Sequence, residues 1–260
     1  MALLEVDKIT LTFKGIAALL DVSYSIEKGQ IVSLIGPNGA GKTSMLNCIS
    51  GRYTPDSGSI RLHGEDLLGV PAHRRTRQGL SRTFQNIALF KGLSVLDNLM
   101  VGRHARMDSG ILASVLYFGK ARAEEDRHRR RVEEVIDFLG LSPYRHHPAG
   151  RLPYGVQKRV ELGRALAAEP ELILLDEPMA GMNLEETEDM ARYILDINEE
   201  WGVTVFLVEH DMGVVMDLSD HVVVLDFGQV LATGSPTEVQ ANEAVVAAYL
   251  GSQDAAYLGR

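Results

Sequence analysis

The chain is expected to fold as an α/β protein around a largely parallel sheet, and three observations carry that expectation. Gly36 to Thr43, Gly-Pro-Asn-Gly-Ala-Gly-Lys-Thr, follows an apolar run and precedes a helix-like segment, which is the strand–loop–helix setting of a G-x-x-x-x-G-K-[ST] phosphate-binding loop. Leu172–Leu175 is an unbroken apolar run, and Val203–Val208 is interrupted only by Thr204, as in parallel strands covered on both faces. Near the N-terminus Val22, Tyr24 and Ile26 alternate with Ser23, Ser25 and Glu27, the period of an antiparallel strand with one buried face.

Taken in order, the first 35 residues read as short strands. Leu11 and Phe13 alternate with Thr12, and Gln30–Ile35 leads into the glycine loop. Lys42–Ile49 reads as the helix leaving that loop, and Ser59–His63 as a strand entered through the turn-rich Tyr53–Gly58. From about Leu93 to Ala167 the pattern turns mostly helical. The charged run Ala121–Arg131 precedes Val132, Val135, Ile136 and Leu139, an i, i+3, i+4, i+7 stripe, so the charges read as a solvated helix face with Glu125–Arg129 and Asp126–Arg130 in the favourable i, i+4 order. Gly110–Phe118 carries several large apolar residues, as core or as an exposed docking patch. Strands return at Leu172–Asp176 and Val203–Val208, then at Val222–Asp226 and Gln229–Ala232 around Phe227-Gly228. Ser235-Pro236 opens a closing helix with Pro at its first position. Ala-Ala-Tyr-Leu-Gly occurs at 247–251 and again at 255–259, a two-copy echo that makes no repeat architecture.

The loop's chemistry follows from its residue types. Gly39 and Gly41 let backbone N–H groups curl around a phosphate, and the helix N-terminus adds its positive dipole end. Pro37 has no N–H, so Asn38 through Thr43 form the cradle. Lys42 reaches β- and γ-phosphates as a point charge, and the Thr43 hydroxyl is placed to ligate Mg²⁺. At the carboxyl end of the Leu172–Asp176 strand, where ligands of open α/β sheets collect, Asp176 is expected to hold Mg²⁺. Glu177, one residue on, is expected to polarise an attacking water as a general base, a role worth about 10²–10⁴ in rate.

Composition narrows the classes. With 35 acidic against 26 basic residues, a net charge of −9, the chain is not expected to grip nucleic acid through its overall field. Its single cysteine, Cys48, excludes an intrachain disulfide and a cysteine-cluster metal site, and reads as core. No run approaches the roughly 20 apolar residues of a membrane helix, and Met1–Lys8 turns charged too early for a signal peptide, so any membrane role is expected to come through partners.

Five segments now stand in a fixed order: the glycine loop, Arg82-Thr-Phe-Gln85, Leu152-Pro-Tyr-Gly-Val-Gln-Lys-Arg159, the strand ending in Asp176-Glu177-Pro178, and Val208-Glu-His210-Asp. In that order and spacing the chain resembles the ATPase subunits of ABC transporters over essentially its whole length. The resemblance implies a P-loop NTPase (RecA-like) core with an N-terminal antiparallel β subdomain and an inserted helical subdomain at about 93–167, one ABC ATPase domain over 1–251, and a C-terminal tail at 252–260. It implies ATP and Mg²⁺ as ligands. Gly36, Asn38, Gly39, Ala40, Gly41, Lys42, Thr43 and Ser44 would surround the phosphates, and Thr43, Gln85 and Asp176 the metal. Gln85 resembles the glutamine that senses metal and attacking water and links the site to the membrane subunit. His210 resembles the switch histidine on the γ-phosphate, with Glu177 and Gln85 completing the catalytic set. Phe13 matches the aromatic that stacks on adenine, although its strand alternation supports a core role almost as well.

Two departures refine the resemblance. Where the family has Leu-Ser-Gly-Gly-Gln, reaching with its serine and glycines to the opposite subunit's γ-phosphate, this chain has Pro153 for the serine, Tyr154 for a glycine and Val156 for the glutamine, so that only Gly155 remains of the phosphate-contacting set, with Tyr154 expected beside it at the nucleotide. Asn183 stands where the family has Asp. With Gly234-Ser-Pro-Thr-Glu-Val near the end, these features resemble the ATPase subunits of branched-chain amino-acid importers, whose relatives carry other amino acids, urea, amides or aromatic acids. Such subunits imply two transmembrane permeases, a second ATPase subunit as homo- or heterodimer, an extracytoplasmic solute-binding protein and a place at the cytoplasmic face of the membrane. A lipopolysaccharide-type exporter ATPase is expected to keep the Ser-Gly-Gly lost here. A soluble ABC ATPase of translation or DNA repair is expected to join two cassettes or insert a further module.

Overall fold

The structure, a computed structural model, describes residues 2–85, 87–106 and 120–250; the Gly110–Phe118 run and the second copy of the tail echo lie outside the described residues. Two sheets organise it. The first is antiparallel, in the order β2-β1-β4-β5, from β1 (Ala2–Phe13), β2 (Ile16–Glu27), β4 (Ser57–Leu62) and β5 (Glu65–Asp66). The sequence suggests short strands here, whereas β1 and β2 each run 12 residues. Register shifts along their pairing, as at Val6/Ile9 and Leu11/Thr12, let the strands bend and continue instead of ending. They also remove Phe13 from the buried face that its alternation with Leu11 suggests: Leu11 is buried and Phe13 is 43% exposed.

The second sheet has the order β10-β9-β3-β8-β7-β6, from β3 (Ile31–Ile35), β6 (Leu80–Arg82), β7 (Leu172–Asp176), β8 (Thr204–Val208), β9 (His221–Asp226) and β10 (Gln229–Gly234). All its pairings are parallel except β9 with β10. The unbroken apolar runs now have their cause. Leu172 and Leu174 of β7, with Phe206 and Val208 of β8, pack toward α1 (Lys42–Ile49) and the antiparallel sheet. The intervening Ile173, Leu175, Val205 and Leu207 pack toward the helices on the other face.

Those helices come largely from the chain between β6 and β7: α3 (Val95–Arg103), α4 (Lys120–Phe138) and α5 (Tyr154–Leu166). Before them, the single turn α2 (Ala72–Arg75) supplies Arg75, whose guanidinium donates to the Cys48 and Ile49 carbonyls and so satisfies the end of α1. The α4 stripe is core as expected, with Val132, Val135, Ile136 and Leu139 fully buried. Its charged side is less plain than a solvated face. Arg131 stacks on Trp201 with 4.3 Å to the ring centre, and with Arg103 it pairs Glu169. Beyond β7 come α6 (Leu184–Glu199), α7 (Met212–Leu218), α8 (Pro236–Gln240) and α9 (Glu243–Leu250). Ser235 and Glu238 form the capping box of α8 with Pro236 at its first position. No helix among the described residues is long and apolar enough to cross a membrane.

Candidate active site

Four adjacent strands of the parallel sheet, β3, β8, β7 and β6, point their carboxyl ends the same way, and the residues read from sequence gather there. Gly36 and Gly41 have left-handed φ of 149° and 104°, and a Cβ on either would meet a backbone oxygen, Leu225 O at 2.1 Å or Ala18 O at 2.6 Å. The loop is thus pressed against β9 on one side and β2 on the other, which only glycine permits. Gly228 N–H donates to the Ala40 carbonyl and fixes the loop from the β9–β10 turn. No side chain caps α1, so its first N–H groups are left to an anion. The buried Lys42 ammonium donates to the Gly36 and Pro37 carbonyls at 2.5 and 3.1 Å, at the edge of the cradle. Thr43 beside it is exposed, as are Asn38 and Gly39.

At the end of β7, Asp176 is buried with one carboxylate oxygen 2.9 Å from Arg82 Nη2. Arg82 Nη1 donates to Asn47 of the phosphate-loop helix and to Ser50 at its C-terminal end, so this arginine ties β6 to β7 and α1. Glu177 follows with φ +47°, a left-handed backbone uncommon for a non-glycine residue. Its N–H donates to Val208 O at 2.9 Å, and its carboxylate accepts from Gln85 Nε2 at 2.9 Å. The glutamine and the glutamate, 92 positions apart in sequence, are therefore side-chain partners. His210 sits beyond the end of β8 with 47% of its side chain exposed. Glu209 before it is buried and accepts the N–H groups of Met179 and His210, each at 3.2 Å. Burial, reinforced by Glu177, raises the Glu209 carboxyl above its usual range, against the pull of those two N–H donors and His210.

The departures from the family pattern lie around the start of α5 and the loop it packs against. Pro153 caps the helix without a side-chain bond, and the Tyr154 hydroxyl donates to Ala180 O at 3.0 Å, its ring against Gly181. Asn183 caps α6 in a capping box with Glu186, and a Cβ on Gly155 would fall 2.4 Å from that Glu186 carboxylate. The signature start and the loop after Glu177 thus touch within one chain. Further along, Lys158 and Glu161 are buried on the side of α5 facing the Gln85 segment. Lys158 donates to Gln85 O at 3.1 Å and reaches Glu177 O at 3.4 Å; Glu161 accepts Ala88 N–H at 3.2 Å. Burial lowers the Lys158 ammonium and raises the Glu161 carboxyl, each opposed by the other's charge. Phe13 lies apart from these groups, edge-on to Tyr53 with ring centres 5.2 Å apart.

Sequence reading missed Arg82, Lys158, Glu161 and Glu209 as site residues, although all four stand inside or beside the quoted motifs. Glu209 carried a usable signal: like Asp176, it is an acid directly after an apolar strand.

An anion cradle at the head of a helix, with a buried aspartate and a glutamine-bridged glutamate beside it, marks a nucleoside-triphosphatase; the flanking antiparallel sheet and helical segment make it an ATP-binding cassette. The family model described as ABC transporter matches residues 19–180, more than half of the chain, and one described as branched-chain amino acid ATP-binding cassette transporter matches 229–255. The chain belongs to the ABC transporter family, as one of its ATP-hydrolysing cassettes. It is 41% identical to the high-affinity branched-chain amino acid transport ATP-binding protein BraF of Pseudomonas aeruginosa, over 96% of this chain and 98% of that one. It is 37% identical to LivG of Escherichia coli K12, which bears the same description, with coverage of 96% and 98%. The lipopolysaccharide export system ATP-binding protein LptB of Haemophilus influenzae is 32% identical, over 97% and 99%. Among solved structures, the ADP conformation of MJ1267, an ATP-binding cassette of an ABC transporter, superposes with a TM-score of 0.84 at 31% identity, over 97% of this chain and all of that one. The dimeric post-hydrolysis state of the cassette MJ0796, bound to ADP and Pi, gives 0.75 at 26%, over 90% and 98%.

Proposed function

We propose that this chain is the ATP-hydrolysing subunit of an importer for branched-chain or related amino acids, small amides or organic acids, acting at the cytoplasmic face of the membrane through permease partners. The observation that carries the reading is the gathering of the phosphate loop, Gln85, Asp176 with Glu177, and His210 on four adjacent strand ends. ATP enters with its phosphates against the N–H groups of Gly39 to Ser44, and Lys42 leaves the Gly36 and Pro37 carbonyls for the β- and γ-oxygens. The exposed Phe13 ring stacks on adenine. Thr43, Asp176 and Gln85 offer hard oxygen donors that suit Mg²⁺. No cage of three His, Cys, Asp or Glu is found among the described residues, and an ion held jointly by protein and nucleotide phosphates requires none. When bound, the ion supplies charge neutralisation across the phosphates. Glu177 takes the proton of the attacking water, Gln85 orients that water, and His210 contacts the γ-phosphate.

Tyr154 and Gly155 face the nucleotide of a second ATPase subunit, and two permeases dock beside the Gln85 segment. A solute-binding protein delivers the cargo from outside. The 41% relative described as a branched-chain amino acid transport protein and the matched segment at 229–255 support the amino-acid reading over lipopolysaccharide export, whose relative stands at 32%. The test is uptake of labelled leucine, isoleucine and valine by cells lacking this chain. Uptake is expected to fall and to return with the wild-type chain but not with Glu177→Gln. Undiminished uptake in the deletion strain contradicts the branched-chain assignment, and undiminished uptake of labelled related amino acids, amides and organic acids as well contradicts the importer reading as a whole.

A further inference from the structure

We propose that Lys158 is a positioning residue for Glu177, so that the helix behind the altered signature sets the base of its own subunit's site. The inference rests on the reading of Glu177 as that base. Lys158 lies in the second turn of α5 and is 3% exposed. Its ammonium donates to the Gln85 carbonyl at 3.1 Å and reaches the Glu177 carbonyl at 3.4 Å. The side chains of the same two residues meet at 2.9 Å. One cation therefore holds the backbones of two residues whose side chains must stay in register.

Two further features make this a device and not a chance contact. Glu177 carries a left-handed φ of +47°, a conformation that persists only where the surroundings over-determine it. The surroundings here are Val208 O on its N–H, and at its carbonyl both Ala180 N–H at 3.2 Å and the Lys158 ammonium at 3.4 Å, which alone of these also reaches Gln85. The Gln85 segment also hangs from the same helix at two more points, Glu161 on Ala88 N–H at 3.2 Å and Arg164 on Ala88 O at 2.5 Å. Positions 158, 161 and 164 repeat every three residues, so they share one side of α5. Any turn of α5 carries the Gln85 backbone with it and shifts the carbonyl anchor of Glu177.

The test uses the full chain assembled with the partners that co-purify with it, and reads kcat and KM for ATP. Lys158→Met is expected to lower kcat about 10- to 100-fold while KM stays within about twofold, as for a misplaced base in an intact nucleotide site. Lys158→Arg, which keeps the charge and the donors, is expected to recover most of the loss. Adding Lys158→Met to Glu177→Gln is expected to remove nothing more, because the lysine acts only through the glutamate. Wild-type kcat in Lys158→Met overturns the proposal. So does a loss that Lys158→Arg does not recover and that adds to Glu177→Gln, since that marks a merely structural role. Should Lys158→Met not fold, Lys158→Gln, whose shorter amide falls short of both carbonyls, is read by the same criteria. Wild-type turnover in Glu177→Gln alone is a different result: it removes the base reading itself.

Discussion

Glu177 is bound at its N–H by Val208, at its carbonyl by Ala180 and Lys158, and at its carboxylate by Gln85, which leaves the residue little freedom. Its replacement by glutamine keeps size and hydrogen bonding but removes the basic oxygen. Nucleotide affinity is expected to hold while turnover falls by about 10²–10⁴, measurable as ATP-analogue binding against phosphate release. At Glu169 a second carboxylate gives a pH prediction. Burial opposes its ionisation, but the hydrogen bond and charge of Arg103, with Arg131 and Arg106, outweigh burial and hold it below the usual carboxylate range. A depressed folded value means stability that is present above the unfolded value of about 4.3 and is lost as pH falls through the folded one. The melting temperature of the wild type is expected to exceed that of Glu169→Gln near neutrality and to converge on it as pH drops below about 4. Lys42, Asp176, Glu177 and His210 were legible in the sequence because each is tied to a strand end or a glycine loop. Lys158, Glu161 and Arg82 were not, since their meaning comes from burial, and which side of α5 or β6 is buried depends on contacts with residues far off in the chain.

At the scale of elements, both faces of β7 and β8 were readable from their unbroken apolar runs, and α1 and α8 from a glycine loop and a Ser-Pro start. β6 was not, because three residues carry no measurable period, yet this edge strand delivers Arg82 and Gln85 to the site. The length of β1 and β2 was hidden by their bulges. Close packing between α3 and α5 gives an element-scale prediction. A Cβ on Gly102 of α3 would stand 2.2 Å from the Arg164 backbone oxygen of α5. Alanine for glycine in a helix ordinarily gains about 1 kcal/mol of propensity, but forcing a methyl against an immovable carbonyl costs about 1–3 kcal/mol. The clash is expected to win, so Gly102→Ala shifts the denaturant midpoint down. A midpoint that rises instead means the two helices can separate without loss.

The whole molecule is a cassette whose site lies at one end of its parallel sheet, with the antiparallel sheet beside the loop and the helical segment carrying the altered signature. Its family place was legible because five motifs occur in order. The transported solute was not, since none of the five motifs distinguishes one cargo from another, and the proposed amino-acid assignment rests on relatives and on the segment 229–255. The most direct test is to tag the chain, purify it gently from its native membranes and identify its companions by mass spectrometry. Two integral-membrane permeases and a second ATPase subunit, encoded with a solute-binding protein for amino acids or small amides, are the expected companions. Recovery with outer-envelope assembly proteins, ribosomes or DNA-repair factors in their place contradicts the importer assignment.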